Sequence, residues 1–254
     1  MQPDPWPVVL LPGAILPAEL AYGPLVAELG DAADAHPKGL EIYAGEVVPP
    51  PGYRIQTEVD GILSFADEAG FETFHLVGYS LGGAVSLAFT AAHPERLRSL
   101  ALFEPAWAGR LGMTNAEAAV HDRLGEVGKL PASERMGAFV ALQLADDVEA
   151  PPSPEGPPPP WMASRVKALE SLSDVLDDYE PDWGVLRAFR RPVYFALGGR
   201  SNPDLYARTA ERLRTVFPDF TLDTFAERHH FDPPQRIEPG RLASALRDLW
   251  QRAG

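Results

Sequence analysis

The stretch Phe74-His75-Leu76-Val77-Gly78-Tyr79-Ser80-Leu81-Gly82-Gly83 decides the fold. Its first four residues form a short apolar segment that reads as a buried strand. The run after it, Ala84-Val85-Ser86-Leu87-Ala88-Phe89-Thr90-Ala91-Ala92, reads as a helix packed on a sheet. Strand, Gly-x-Ser-x-Gly and helix in that order make a sharp turn that exposes the Ser80 hydroxyl at a strand end. Such a turn needs small neighbours, because the serine backbone is strained and crowded from both sides.

Working outward, Val8-Val9-Leu10-Leu11 is a buried strand ending in the tight loop Pro12-Gly13. A helix is expected from about Ala18 to Ala35, with Leu20, Leu25, Val26 and Leu29 on its inner face. Leu40-Glu41-Ile42-Tyr43 reads as the next strand and Pro49-Pro50-Pro51-Gly52 as a rigid loop. Ile55, Val59, Ile62, Leu63, Phe65 and Ala66 recur at helical spacing until Gly70 closes the helix. Beyond the Ser80 helix and His93-Pro94-Glu95-Arg96, Leu97 to Phe103 forms a strand ending at Glu104-Pro105. The alternation resumes with a strand from Pro192 to Leu197, a helix near Pro203 to Val216, a strand from Phe220 to Phe225, and a helix from about Pro239 to Arg252. Short apolar runs alternating with amphipathic segments imply an α/β class, a mostly parallel sheet flanked by helices.

The interval from Trp107 to Ala188 breaks that rhythm and holds no convincing strand. Thr114-x-x-Glu117 matches a capping box that opens one helix. Met136, Phe139, Val140 and Leu144 mark a second helix, and Val166, Leu169, Leu172 and Leu176 a third. Between the last two, seven of the ten residues from Pro151 to Pro160 are proline, which favours a stiff extended loop. The organisation expected is a core of residues 1–106 and 189–254, with 107–188 an all-helical insertion between two late strands.

With 254 residues the chain is long enough for one large α/β domain with an insertion. A formal net charge of -14 argues against nucleic acid or an anionic membrane surface as partner. The absence of cysteine excludes disulfides, thiolate metal sites and a cysteine nucleophile. Met1 to Pro7 lacks the pattern of a secretory signal, and no apolar run is long enough to span a bilayer. A soluble cytoplasmic monomer or homodimer acting on a small molecule is the expectation.

A serine hydroxyl needs a general base, usually histidine, and a third group that orients the base. Of six histidines, His229 and His230 alone lie in a loop after a late strand, where a base can reach the carboxyl ends of parallel strands. His230 is preferred because Phe231 after it supplies an apolar anchor; His229 is the alternative. A metal site on His229-His230-x-Asp232 is disfavoured, since adjacent loop side chains diverge and no other ligand cluster accompanies them. Two backbone N–H groups must face the developing negative charge. Leu81, next after Ser80, supplies one, and the loop Pro12-Gly13-Ala14-Ile15 the other, from Ala14 or, next, Ile15.

With these residues in place the chain resembles the α/β-hydrolase superfamily, in particular its single-domain members with a helical lid. The likeness rests on Gly78-Tyr79-Ser80-Leu81-Gly82-Gly83, on His93-Pro94-Glu95-Arg96 and on the order serine, acid, histidine. It implies Ser80 as nucleophile, His230 as base and then acid, and Leu81 and Ala14 as oxyanion donors. The family's usual acid stands in the turn after the strand ending at Leu197, and Ser201 occupies that place here. Glu104, after the strand that follows the elbow helix, is the favoured acid, as in some members; Asp204 is the alternative. Pro12-Gly13 also replaces the usual His-Gly of the oxyanion loop, and the antiparallel N-terminal strands common in the family are missing. A serine at the elbow speaks against epoxide hydrolysis and dehalogenation, which use aspartate there. Acyl chemistry on an ester, lactone or thioester remains, without metal or organic cofactor. A C–C hydrolase, an acyltransferase and a non-catalytic ligand-binding protein are the alternatives. Candidates to line an apolar pocket are Ile15, Tyr79, Trp107, Phe139 and Trp161, with Met113, Met136, Met162 and Trp183.

Overall fold

The computed structural model describes residues 4–152 and 156–254. Residues 1–3 of the N-terminal stretch and Ser153, Pro154 and Glu155 of the proline-rich run lie outside it. The described prolines of that run belong to neither helix nor strand.

Six strands form one sheet in the order β2-β1-β3-β4-β5-β6, every neighbouring pair parallel. They are β1 (Trp6–Leu11), β2 (Ala33–Pro37), β3 (Phe74–Tyr79), β4 (Leu97–Phe103), β5 (Val193–Gly198) and β6 (Phe220–Phe225). The central strands are continuously apolar because helices cover both faces. Successive residues point to opposite sides. Val8 and Leu10 join Tyr22 and Leu25 of α1 (Ala18–Leu29) and Leu246 and Trp250 of α11 (Pro239–Ala253). Val9 and Leu11 join Val59 and Ile62 of α2 (Ile55–Glu68), Val85 and Phe89 of α3 (Leu81–Ala92), and Leu213 of α9 (Arg208–Val216). Each such fully buried large side chain contributes roughly 2–3 kcal/mol.

Between β4 and β5 the chain forms α4 (Asn115–Val127), α5 (Ala132–Ala141), α6 (Met162–Ala168), α7 (Leu172–Asp177) and α8 (Trp183–Ala188). The periodic run from Val166 to Leu176 is therefore two helices, not one. Helix α8 packs against α3 and α9. Thr114 accepts the N–H of Glu117 as an N-cap, but the Glu117 carboxylate does not close a capping box. It is buried instead against Arg212 and Thr209 of α9, tying α4 to the helix that follows β5.

The strand expected at Leu40 to Tyr43 is a helical turn, and the second strand is Ala33–Pro37. A buried carboxylate explains the turn. Glu58 accepts the N–H groups of Glu41 and Ile42, each at 2.9 Å, and the Tyr53 hydroxyl at 2.7 Å. Burial raises the Glu58 pKa, and these donors oppose the rise. Helix α1 stops at Leu29, capped by Gly30 at φ 53°, which frees Ala33–Pro37 to pair with β1. Ala21 and Tyr22 are buried in place of Leu20, which is exposed.

Two imidazoles, one in the sheet and one on α4, are held neutral by burial. His75 on β3 lies against Trp250 and contacts Ser99 Oγ at 2.8 Å; its pKa is lowered to about 3. His121 on α4 meets the Trp107 ring edge-on, and its pKa is lowered to about 4. In the unfolded chain both protonate near pH ~6.5. The unfolded state thus binds more protons below that pH, and stability falls as pH drops from about 6.5 toward 4. We predict that the unfolding midpoint falls over this window, less steeply in His121→Gln and His75→Asn. An unchanged slope in both variants contradicts the assignment.

Candidate active site

The elbow is built by what surrounds its two outer glycines. A Cβ on Gly78 would lie 2.3 Å from the Gly82 carbonyl oxygen, and one on Gly82 2.4 Å from the Leu11 carbonyl oxygen. The left-handed conformation falls on the serine itself, at φ 54° and ψ -117°. Backbone bonds clamp it: the Ser80 N–H donates to the Phe103 carbonyl at 3.0 Å, and the Gly82 N–H to the Pro12 carbonyl at 3.0 Å.

One other non-glycine among the described residues has positive φ, and it is Glu104, at 47°. Strained backbone of this kind persists where its surroundings over-determine it, and such residues cluster at functional sites. Glu104 directly follows β4, and its carboxylate is buried. One oxygen accepts the Gly198 N–H at the end of β5, at 2.8 Å; the other lies 2.9 Å from His230 Nδ1.

His230 stands between β6 and α10 (Pro234–Ile237), 1% exposed, with Nε2 3.0 Å from Ser80 Oγ. A carboxylate only accepts hydrogen bonds, so the proton belongs on Nδ1 and Nε2 faces Ser80 with a free lone pair. The imidazole lies between two tyrosine rings. Tyr206 stacks at 4.5 Å and 11°, and Tyr79 lies at 4.9 Å and donates its hydroxyl to the His230 carbonyl. Phe231 meets the imidazole edge-on at 5.2 Å, the apolar anchor expected of it.

Ser80, Glu104 and His230 thus come together, and the competing residues do not. His229 turns to Asp232, 3.2 Å away, which also accepts the His229 N–H. Burial lowers the His229 pKa. The two histidines have separate partners, so they do not converge with Asp232. Asp204 is half exposed, 4.0 Å from Arg208, and makes no contact with His230. Ser201 is buried without a hydrogen-bond partner for its Oγ.

Leu81 and Ala14 line a cavity of about 40 Å³ together with Ser80. Among the described residues their N–H groups donate to no protein acceptor. The Tyr43 hydroxyl donates to the Ala14 carbonyl at 2.6 Å and so fixes the peptide that joins Ala14 to Ile15 in the same loop. Trp107 and Phe139 line this cavity; Ile15, Tyr79 and Phe139 line a second, of about 220 Å³, that also reaches Ser80 and His230. Trp161 lines neither, and its neighbour Met162 takes the place on the wall of the larger cavity. Met113, Met136 and Trp183 are likewise absent from both walls.

Two residues at the site carry no sequence motif. Tyr206 donates to Gln143 Oε1 at 2.6 Å and places its hydroxyl 3.1 Å from His230 Nε2. Because the rings are nearly parallel, that oxygen approaches Nε2 from the face of the imidazole. The one signal for Tyr206 is its position, an aromatic in the first turns after β5. Gln143, just past α5, has none.

A family model of the alpha/beta hydrolase fold matches residues 53–133, which span α2, the elbow, β4 and α4. The chain has the α/β-hydrolase fold. The uncharacterized carboxylesterase nap of Bacillus subtilis (strain 168) is 30% identical over 111 residues. That match covers 41% of this chain, which spans 34% of the relative's length. Among solved structures, an esterase from Thermogutta terrifontis superposes with a TM-score of 0.69 at 16% identity, over 98% of this chain and 90% of the other. The naproxen esterase of Bacillus subtilis gives 0.62 at 19%, over 97% and 84%. A meta-cleavage product hydrolase from Pseudomonas fluorescens IP01 gives 0.67 at 14%, over 99% and 92%. The expected resemblance to α/β-hydrolases holds, and the six-stranded parallel sheet is the shared frame. No helix among the described residues is long and apolar enough to cross a membrane.

The close approach at the elbow makes a stability prediction. Gly78→Ala drives a Cβ into backbone and costs about 3 kcal/mol. Gly125→Ala, inside α4 with nothing within 4 Å of the new methyl, gains roughly 0.5–1 kcal/mol. Urea unfolding of the two variants checks this; equal effects contradict the crowding argument.

Proposed function

We propose that this protein is a serine hydrolase that cleaves a carboxylic ester, lactone or thioester of a small apolar or aromatic substrate through an acyl-enzyme on Ser80. The observation that carries the reading is the unbroken series of contacts from Glu104 through His230 to Ser80, at 2.9 Å and 3.0 Å. In the first half-reaction His230 Nε2 takes the Ser80 proton as Oγ attacks the carbonyl carbon. Glu104 stabilises the imidazolium, while the N–H groups of Leu81 and Ala14 receive the oxyanion. His230 then protonates the leaving alcohol or thiol as its bond to the acyl carbon breaks. Water, deprotonated by the same nitrogen, releases the acid and restores Ser80. The chemistry calls for no metal or organic cofactor.

The helices α4 to α7 serve in this reading as a cap over the strand ends, and residues of α4, α5 and α7 share the smaller cavity with Ser80. Apolar walls of Trp107, Leu124, Phe139 and Leu172 suit an aliphatic or aromatic group. The carboxylesterase and esterase activities named for the relatives agree with acyl chemistry. The alternative of a non-catalytic binding protein rested on the missing carboxylate at Ser201. The contact of Glu104 with His230 from the neighbouring strand supports the catalytic reading over that alternative.

A fluorophosphonate probe should label the natural chain and leave Ser80→Ala unlabelled. Turnover of p-nitrophenyl butyrate should fall by ~10³-fold in His230→Ala and in Glu104→Gln, and persist in Asp204→Asn. Labelling of Ser80→Ala, or full activity in Glu104→Gln, overturns the assignment.

A further inference from the structure

Five Asp, Glu, Lys or Arg side chains are buried among the described residues: Lys38, Glu58, Glu104, Glu117 and Arg165. Four have partners that account for their burial. Lys38 pairs with Glu41, Glu58 accepts three donors, Glu104 holds His230 and the Gly198 N–H, and Glu117 holds Arg212. Arg165, on α6 and 9% exposed, has no carboxylate partner among the described residues; its neighbour is the uncharged Tyr43 side chain, and its Nε is buried without a hydrogen-bond partner. An unpaired buried guanidinium is costly and uncommon.

Its surroundings say what it awaits. The guanidinium carbon sits 3.4 Å from the centroid of the Tyr43 ring, a cation–π contact that supplies no counter-charge and leaves the guanidinium without an anion. Arg165 and Tyr43 line a cavity of about 360 Å³ together with Pro12, Gly13 and Leu16 of the oxyanion loop. Glu41 also lines it but is already held by Lys38 at 2.7 Å; Glu19 lies at its exposed rim. Gly13 and Leu16 border the 220 Å³ cavity at Ser80 as well, and Met162, one turn before Arg165, belongs to that second wall. Gly13 is against the nucleophile: a Cβ placed there would be 3.1 Å from Ser80 Cβ.

We propose that the cavity between the oxyanion loop and α6 is an anion-binding subsite in which Arg165 receives a carboxylate carried by the substrate. The inference rests on the Ser80 reading and deepens it: the preferred substrates are esters with a free carboxylate at one end. A carboxylate matches the guanidinium edge with two parallel N–H···O bonds, a geometry that a lysine cannot reproduce. The competing role for Arg165 is to brace Tyr43, whose hydroxyl holds Ala14. Loss of a brace harms every ester alike; loss of a subsite harms the charged one.

The test compares mono-p-nitrophenyl glutarate with p-nitrophenyl butyrate on the natural chain, Arg165→Gln and Arg165→Lys. The ratio of kcat/KM, charged over neutral ester, should fall tenfold or more in Arg165→Gln, mainly through KM of the glutarate ester. Arg165→Lys, which keeps the charge, should retain part of the ratio. An unmoved ratio, or an equal loss on both esters, overturns the subsite. If the natural chain cleaves neither ester, the Ser80 reading fails, and free glutarate judges the subsite alone. A rise in unfolding midpoint with glutarate that Arg165→Gln abolishes upholds it; no rise overturns it.

Discussion

The Glu104 carboxylate ties the end of β4 to the end of β5 and to the loop after β6. It leaves β4 on a left-handed backbone, and its two oxygens engage the end of β5 and the loop after β6. In a buried setting an ionised carboxylate is tolerated only when its oxygens are occupied. Gly198 and His230 occupy them, so satisfying the acid and placing the imidazole are one event. The ring then has little freedom, because Tyr206 and Tyr79 cover it and the Tyr79 hydroxyl holds its backbone carbonyl. Tyr79 is also the residue before Ser80. The orientation of the imidazole and the exposure of the elbow are therefore set by neighbouring residues.

Strain and burial concentrate at the same place. Ser80 and Glu104 are the two non-glycine residues of positive φ among those described. Each such conformation costs on the order of 1–3 kcal/mol and is sustained by the sheet beneath it. The central strands supply that support through apolar packing on both faces. The helices between β4 and β5 are tied down separately, by Glu117 to α9 and by the Trp107 indole to the Tyr179 carbonyl.

Much of this was legible in the sequence, for reasons that differ by element. The elbow is a local pattern, and β1, β3, β4 and β5 are buried on both faces, so each shows as an apolar run. Ala33-Asp34-Ala35-His36-Pro37 escaped notice because an edge strand, half exposed, need not be apolar. Leu40 to Tyr43 misled because its apolar pattern serves a turn pinned by Glu58, a partner distant in sequence. His230 could be preferred to His229 from Phe231, and Glu104 from its place at a strand end. Tyr206, Gln143 and Arg165 could not be foreseen, since their roles depend on where the inserted helices come to rest. Trp161 stands out in the sequence as an aromatic of that insertion, but which side of α6 faces the cavity is a matter of packing.

The direct measurement of the central claim is the proton NMR spectrum of the histidine ring N–H groups. A proton on His230 Nδ1, shared with the buried Glu104 carboxylate, should give a resonance far downfield of the ordinary amide region. It should disappear in Glu104→Gln and remain in Asp204→Asn. A resonance that survives Glu104→Gln, or is lost only in Asp204→Asn, would contradict the arrangement on which the account depends.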